Sequence, residues 1–222
     1  MSARLIAISQ FMLPGVITGD FEAPTAEDLI VYCARVSNPN NQANFGTGSR
    51  LLKYCINHGH WSVFEMASMC VEVTTSRAIG RQLLRHRSFS FQEFSQRYAP
   101  TIDREPIELR LQGAKRQGGI IRAELPADLE AELEAYLHEG SALYNKLINH
   151  GVAYESARFI LPEATTTVMY VSGTIRSWIH YLQLRCQPET QAEHRSLANA
   201  ILQVFVENFP RVSVAMGWRD EE

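Results

Sequence analysis

The most constraining feature of the sequence is a strand pattern that passes into a helix pattern without a loop. Over residues 68–74 apolar and polar side chains alternate, which is typical of a strand with one buried face. Thr75 and Ser76 follow, and both residue types cap helix N-termini. A helix is predicted to begin at Arg77 and to include Arg85. We therefore expect a sheet whose strand leads directly into an arginine-rich helix.

Strand and helix patterns also alternate along the rest of the chain. The predicted strands cover residues 4–8 and 165–172, with Gly173 turning the chain, and a hairpin pairs 107–111 with 120–123. The predicted helices cover residues 25–37, 49–58, 126–151, 154–161 and 175–186, and a last helix runs from a capping box at Thr190 and Glu193 to Pro210. This order predicts one α+β domain over residues 1–222, with a modest, largely antiparallel sheet flanked by helices and a long helical C-terminal half.

Cysteine usage and hydropathy predict a cytoplasmic protein. The four cysteines are far apart and form no CxxC pair, which is typical of reduced thiols. No apolar run approaches the roughly 20 residues that cross a bilayer, and the short apolar start is typical of a strand and not of a signal peptide.

Arginines are concentrated in one stretch of an otherwise mildly acidic chain. Of the 21 basic residues only three are lysines, which leaves 18 arginines against a net charge of −3. Residues 77–97 hold five arginines and one acid, Glu93, and so carry a local charge of +4. Arg77, Arg81 and Arg85 follow an i, i+4, i+8 spacing and would share one helix face, where they repel each other. An acidic partner, the helix dipole or a bound phosphate could offset that repulsion.

The segment after this helix, residues 85–98, has neither helical nor strand periodicity. It mixes arginines, serines, an amide, a carboxylate and aromatic rings. Such a segment favours a functional loop that holds a phosphate with Arg and Ser and covers a ring with aromatic side chains.

The same segment carries the pattern RHRxxSxxExSxRY, which resembles the signature of the flavin-dependent thymidylate synthases, with Gln92 where the family usually has Asn. Four further segments resemble the family in the same order, at residues 58–65, 81–82, 157–162 and 175–185. Together the matches span about residues 4–205, nearly the whole chain.

The resemblance implies a methyltransferase of de novo dTTP synthesis that converts dUMP to dTMP. Methylenetetrahydrofolate would donate the one-carbon unit, and FAD reduced by NADPH would donate the hydride. The family uses no protein nucleophile and forms homotetramers with FAD sites assembled between subunits. Arg185 matches the arginine that stabilises negative charge on the uracil ring, a role that suits a permanently protonated guanidinium.

The resemblance also implies the ligand contacts. The implied dUMP contacts are Gln82, Leu83, Leu84, Arg85, Glu93, Phe94, Ser95, Gln96, Arg97, Arg158 and Arg185. The implied FAD contacts are Ser62, Arg85, His86, Arg87, Glu93, Thr174, Ile175, Arg176 and His180. The other twelve arginines, Arg77 and Arg81 among them, receive no ligand role.

Two of these residues could suggest different chemistry. Ser95 is a possible nucleophile, but no base partner can be identified, so it is interpreted as a substrate contact. His86 is a possible base, but the charges beside it in the chain should lower its pKa, and a flavin contact fits better. No GxGxxG motif follows a strand, so the flavin site is not expected to be a Rossmann crevice.

Two alternatives come from other functional classes. Residues 77–98 combine basic and aromatic side chains, as surfaces that bind single-stranded nucleic acid do, although Glu93 interrupts the patch and the rest of the chain is acidic. A metal-dependent hydrolase could use His58, His60 and Glu65, but no further ligand has motif spacing. We therefore expect no metal, no nucleic-acid partner and no membrane contact.

Overall fold

A computed structural model describes residues 1–12, 24–113 and 122–220. Its centre is a sheet of four antiparallel strands in the order β1-β2-β4-β3. The strands are β1 (Ser2–Ile8), β2 (Ser68–Ser76), β3 (Ser90–Glu93) and β4 (Thr166–Thr174). The helices are α1 (Ala26–Ala34), α2 (Gly48–Asn57), α3 (Arg77–Leu83), α4 (Ala127–Asn149), α5 (Tyr154–Ala157), α6 (Ile175–Arg185), α7 (Ala192–Asn208) and α8 (Pro210–Ala215). The predicted α+β class with a small antiparallel sheet is confirmed.

The buried face of the sheet follows the alternation in the sequence. Met69, Val71 and Val73 of β2 are fully buried, and Val71 lies between Leu5 of β1 and Val171 of β4. Burying each such side chain contributes about 1.5–3 kcal/mol. This face is the floor of a core that α6 and α7 cover.

Two strand-to-helix junctions place the ends of α3 and α6. The Ser76 hydroxyl accepts from the amide of Ile79 at the start of α3, and the Thr174 hydroxyl accepts from the amide of Ser177 at the start of α6. Because β2 and β4 are antiparallel, the two helices leave from opposite ends of the strand pair. Their C-terminal ends nevertheless meet.

The prediction that Arg85 continues the arginine face of α3 is wrong. The helix ends at Leu83, and the chain turns through a hydrogen bond from the His86 amide to the Leu83 carbonyl. This turn brings Phe89 into the core, where its ring centroid lies 4.5 Å from that of Trp178. The strand β3 follows, so the segment expected to be an aperiodic loop contains a short strand.

The prediction that Gly173 turns the chain is also wrong. Gly173 lies inside β4 and pairs with Met69. A Cβ atom at this position would approach the Phe89 ring to 2.3 Å. The glycine therefore leaves room for the inserted ring, as glycines within strands often do for a close neighbour.

The predicted capping box at Thr190 and Glu193 does not form. The Thr190 hydroxyl donates to the Leu184 carbonyl, and the Glu193 carboxylate binds Arg110 at 2.5 Å. Both side chains have tertiary partners that compete with the helix end. The box at Thr25 and Asp28, by contrast, is present and caps α1.

Helix α8 was not predicted, since Pro210 was interpreted only as the end of α7. Pro210 instead occupies the first turn of α8, a position that proline favours. The buried carboxylate of Glu27 accepts from the Val212 amide at 2.7 Å and from the Arg211 guanidinium at 3.1 Å. This contact holds α8 against α1.

The predicted hairpin over residues 107–111 and 120–123 is only partly within the described chain. An isolated bridge pairs Arg110 with Arg122, and the Ala123 amide donates to the Leu109 carbonyl. The tip of the hairpin lies outside the described residues.

Helix α4 begins at Ala127 after Pro126, close to the predicted start, but its apolar stripe is largely uncovered. Leu137 is buried, whereas Leu129 and Tyr136 are exposed, Tyr136 to 66%.

In the part of the chain that is described, no helix has the length and hydropathy to cross a membrane. The four cysteines lie there as free thiols.

Candidate functional site

A cavity of about 350 Å³ opens beside α3, where β3 ends. The residues around it belong to α3, to the end of β3 and the segment that follows it, and to the turn after α5. They are Arg77, Glu93, Phe94, Ser95, Gln96, Arg97 and Arg158. Six of these seven are implied dUMP contacts, although Arg158 is distant in sequence from the others.

The carboxylate of Glu93 is fixed at the inner wall of the cavity. It accepts a hydrogen bond of 2.9 Å from the Thr167 hydroxyl on β4 and lies 3.6 Å from the Arg77 guanidinium. Gly80 lets α3 pack this closely on β4, because a Cβ atom there would meet Met169 at 3.2 Å and Thr167 at 3.3 Å. The strand and the helix thus hold one carboxylate and one guanidinium side by side.

The other two cations of the cavity have no carboxylate partner among the described residues. Arg97 shares a long contact of 3.4 Å with the Ser95 hydroxyl, and Arg158 donates to the Glu155 carbonyl at 3.3 Å. Three arginines against Glu93 leave the cavity with a net charge of +2. A phosphate monoester dianion matches that charge.

Gln96 is buried at the back of the cavity, with 3% of its surface exposed. A second cavity of about 220 Å³ adjoins the first and shares Arg77, Gln96 and Arg158 with it. Its outer wall holds Arg81, which pairs with Glu163 at 2.6 Å. Of the three groups that could offset repulsion between the α3 arginines, acidic partners are therefore present, as Glu93 for Arg77 and Glu163 for Arg81.

Ser95 is not arranged as a nucleophile. Its hydroxyl accepts from the amide and the guanidinium of Arg97, and neither group can act as a base. The interpretation of Ser95 as a binding residue rather than a catalytic one fits this geometry.

A different group of polar residues lies where the C-terminal ends of α3 and α6 meet. Arg185 ends α6 and donates from Nε to His86 Nε2 at 2.9 Å. The His86 ring packs edge-on against Tyr181 at 4.9 Å, and the Tyr181 hydroxyl bonds His194 Nε2 at 3.2 Å. His194 Nδ1 in turn bonds the Gln82 amide oxygen at 3.1 Å.

The pKa of His86 is lowered to about 4, firstly by burial and then by the positive charge of Arg185. The direction agrees with the sequence prediction, but the cause differs, because the sequence neighbours Arg85 and Arg87 were expected to supply the charge. Neutral His86 can accept a hydrogen bond at Nε2, and this is what Arg185 requires.

The implied FAD contacts at the start of α6 gather around one turn. Residues Trp61–Glu65 form a 3₁₀ turn that contains Ser62 and packs on α6. Arg176 pairs with Glu65 at 2.5 Å, and the His180 ring lies edge-on to Trp61 at 5.0 Å. Arg176 and His180 lie four residues apart on α6, within the helix that the sequence predicts over residues 175–186. Thr174 uses its hydroxyl to cap α6.

The other implied contacts are divided between the buried core and the surface. Ile175 and Leu83 are fully buried in the core, so neither residue presents a surface to a ligand in this chain. Leu84, Arg85 and Arg87 are exposed. In the described ranges neither of these two arginines has an ion pair, which leaves their guanidinium groups available.

The two polar groups face opposite sides of α3. Gly80 faces β4 and Glu93, whereas Gln82 faces α7. Residues two apart on a helix point about 200° apart. One chain therefore presents the cavity arginines and the Arg185 group in different directions.

Sequence reasoning missed Arg77 of the cavity and Tyr181 and His194 of the Arg185 group. It also missed Gln191, whose amide oxygen accepts from Gln82 at 2.7 Å. A signal existed for His194. It lies on the buried face of α7 with Leu197, Ala198 and Ile201. A histidine among buried apolar residues needs hydrogen-bond partners, so its position indicates a polar contact there.

The two alternative interpretations gain no support. Arg77 and Arg81, two of the five arginines in the basic segment, bind glutamates. His58 stacks on Tyr54 at 4.0 Å, and Glu65 is engaged by Arg176. Across residues 1–12, 24–113 and 122–220, no three His, Cys, Asp or Glu side chains are grouped as metal ligands.

Comparison with known proteins identifies close relatives. A family model described as thymidylate synthase complementing protein matches residues 21–211. A probable flavin-dependent thymidylate synthase of Paramecium bursaria Chlorella virus 1 is 48% identical over 98% of this chain and 100% of its own length. A flavin-dependent thymidylate synthase of a Synechocystis strain is 41% identical over 98% and 100%.

Among solved structures, the UMP/dUMP methylase PolB of Streptomyces cacaoi bound with 5-Br dUMP has a similar fold. Its TM-score is 0.77 at 25% identity, over 97% of this chain and 94% of its own.

Proposed function

This chain belongs to the flavin-dependent thymidylate synthase family, and on that premise we propose that it converts dUMP to dTMP. Methylenetetrahydrofolate supplies the one-carbon unit, and the C5 proton of uracil is replaced by a methyl group. FAD, reduced by NADPH, supplies the hydride when it is bound. We place this reaction in the cytoplasm, which the free thiols support.

The observation that carries the proposal is the cavity built around Glu93 to Arg97. Five consecutive residues of the signature line it, together with Arg158 from a distant segment. Its net charge of +2 matches the phosphate of dUMP, and Arg97 and Arg158 are the cations that no carboxylate neutralises in the described chain. Arginine suits this task because its planar fork forms paired hydrogen bonds with phosphate oxygens.

Arg185 is assigned to the uracil ring. Its Nε is held by neutral His86, while the terminal nitrogens of the guanidinium remain available to a ligand. A fixed positive charge at the carbonyl edge of uracil stabilises the negative charge that builds up when C5 becomes nucleophilic. Arg185 cannot itself accept a proton, so its role is electrostatic.

The residues around the Trp61–Glu65 turn fit a flavin nucleotide. Trp61 and His180 offer ring faces or edges, and Arg176 offers a charge for a phosphate at the start of α6. The Arg176 to Glu65 pair is 40% and 43% exposed, and such pairs contribute about 1 kcal/mol or less, so a phosphate can replace the carboxylate.

We infer that the active site is completed by self-association into a homotetramer. The cavity and the Arg185 group face opposite sides of α3, so one nucleotide can meet both only if they come from different chains. The exposed stripe of α4 supports this inference, since Leu129, Tyr136 and Leu143 form an uncovered apolar face on a 23-residue helix.

A coupled assay tests the proposal. Purified protein is expected to carry a flavin released on denaturation, to oxidise NADPH when dUMP is added, and to form dTMP only when methylenetetrahydrofolate is also present. The Arg158→Ala variant, which lacks one arginine of the cavity, is expected to need more dUMP for the same rate. Protein that neither binds FAD nor forms dTMP under these conditions would contradict the proposal.

A further inference from the structure

A continuous chain of hydrogen bonds runs between α6, α3 and α7. It connects Tyr181, His194, Gln82, Gln191 and Glu193. The distances are 3.2, 3.1, 2.7 and 3.0 Å in that order. Tyr181 and His194 are fully buried, so their polar atoms depend on partners inside the protein.

The carboxylate of Glu193 fixes the direction of every bond in this chain. Arg110 binds Glu193 at 2.5 Å. Burial alone would raise the pKa of Glu193, but the hydrogen bond from Arg110 and other hydrogen bonds bring that pKa below its ordinary value. An ionised carboxylate only accepts hydrogen bonds, so the Gln191 amide nitrogen must point to Glu193.

The remaining orientations follow in sequence. Because the Gln191 nitrogen is committed, its oxygen accepts from the Gln82 nitrogen. The Gln82 oxygen must then accept from His194 Nδ1–H, which leaves His194 Nε2 as the acceptor of the Tyr181 hydroxyl. The pKa of His194 is lowered to about 4, by burial first and then by Arg185 and His86, so the ring is neutral and carries one proton.

We propose that His194 is a positioning residue for the nucleotide, acting through Gln82, whose amide it holds in one of its two possible orientations. An amide nitrogen has two hydrogens and an amide oxygen has two acceptor sites. Gln82 therefore keeps one N–H and one acceptor site for a ligand, each in a fixed direction. If the amide could flip freely, the nucleotide would bind more weakly, because only one orientation directs the N–H and the oxygen to their partners on the ligand.

This inference rests on the proposed function, since it requires dUMP to contact Gln82. It adds a residue, His194, that neither the signature nor the cavity lining contains. Tyr181 and Glu193 lie at the two ends of this series of hydrogen bonds. The orientation of Gln82 therefore depends on residues of both α6 and α7.

The test is the dissociation constant of dUMP with the FAD-loaded protein. Gln82→Ala is expected to raise it about tenfold, the effect of one or two lost hydrogen bonds. His194→Gln removes the donor at the Nδ1 position and is expected to raise it about fivefold. His194→Asn places an amide where Nδ1 stands and is expected to stay within about twofold of the parent.

The double variant Gln82→Ala/His194→Gln separates positioning from general structure. If His194 acts through Gln82, the double variant binds dUMP no more weakly than Gln82→Ala alone. Flavin content and the unfolding temperature are measured on each variant as folding readouts.

Three results would overturn the inference: His194→Gln weakening dUMP binding equally in both backgrounds, Asn and Gln at position 194 being equally impaired, or Gln82→Ala binding dUMP normally. Failure of the proposed function would look different, because the unmodified protein would then neither bind dUMP nor form dTMP.

Discussion

The two sides of α3 carry different kinds of polar side chain. On the β4 side Arg77, Arg97 and Arg158 surround an open cavity and keep their charge in contact with solvent. On the α7 side Gln82 lies in a chain of hydrogen bonds that runs from the buried Tyr181 and His194 to the carboxylate of Glu193. The β4 side offers positive charge, and the α7 side offers hydrogen-bonding groups that are held in one orientation.

The difference follows from the physical chemistry of the groups. A guanidinium stays protonated at any physiological pH, so it needs no burial to remain a phosphate ligand. The orientation of an amide or an imidazole is fixed only by its partners, so these groups need a complete network. His86 belongs to the second kind, and through it the charge of Arg185 is held in place.

The largest effect is expected for Arg185→Ala. Turnover should fall about 10²- to 10³-fold while flavin content is retained, because a preorganised charge at the reacting ring is lost. Single-turnover formation of dTMP measures it. Arg81→Ala is the matched control, since Arg81 pairs with Glu163 at the surface and should change turnover little. Near-normal turnover in Arg185→Ala would remove that residue from the mechanism.

A smaller effect, on binding and not on turnover, is expected for Arg158→Ala. Losing one charge-assisted contact to phosphate should raise the KM for dUMP about tenfold or more, with kcat nearly kept. Steady-state kinetics with varied dUMP measure the two constants. An unchanged KM would show that the phosphate does not bind in the cavity.

Between pH 6.5 and pH 4 the buried side should respond and the cavity arginines should not. The pKa of His194 lies near 4 in the folded protein and near 6.5 when unfolded, so the unfolded state takes up a proton first as the pH falls. The free energy of unfolding should therefore drop by roughly 2.5 kcal/mol across this range from His194 alone. Urea unfolding of the parent and of His194→Gln at both pH values isolates that contribution. Equal pH dependence in the two proteins would contradict it.

The sequence was sufficient wherever a structure depends on near neighbours. The alternation of β2, the Ser76 cap, the box at Thr25 and the end of α2 next to His58 are all local. The failures involve distant partners. Gly173 leaves space for the Phe89 ring, and Glu193 forms an ion pair with Arg110.

The same distinction holds for the site. The signature residues Glu93 to Arg97 line one cavity, as their clustering in sequence suggests, and the family resemblance supplied Arg158. The bond between His194 and Gln82 joins residues 112 positions apart and depends on how α7 packs on α3. No local pattern encodes that distance.

The central claim, that both sides of α3 serve one nucleotide from different chains, is tested most directly by mixing two defective subunits. Arg185→Ala and Arg158→Ala are co-expressed with different tags, mixed oligomers are isolated by both tags, and dTMP formation is measured at dUMP far below the KM of the parent, where each variant alone should keep about a tenth of parent activity or less. The account predicts recovery to about a quarter of parent activity, because some sites combine two intact sides. Activity no higher than that of the separate variants would show that each chain builds its site alone.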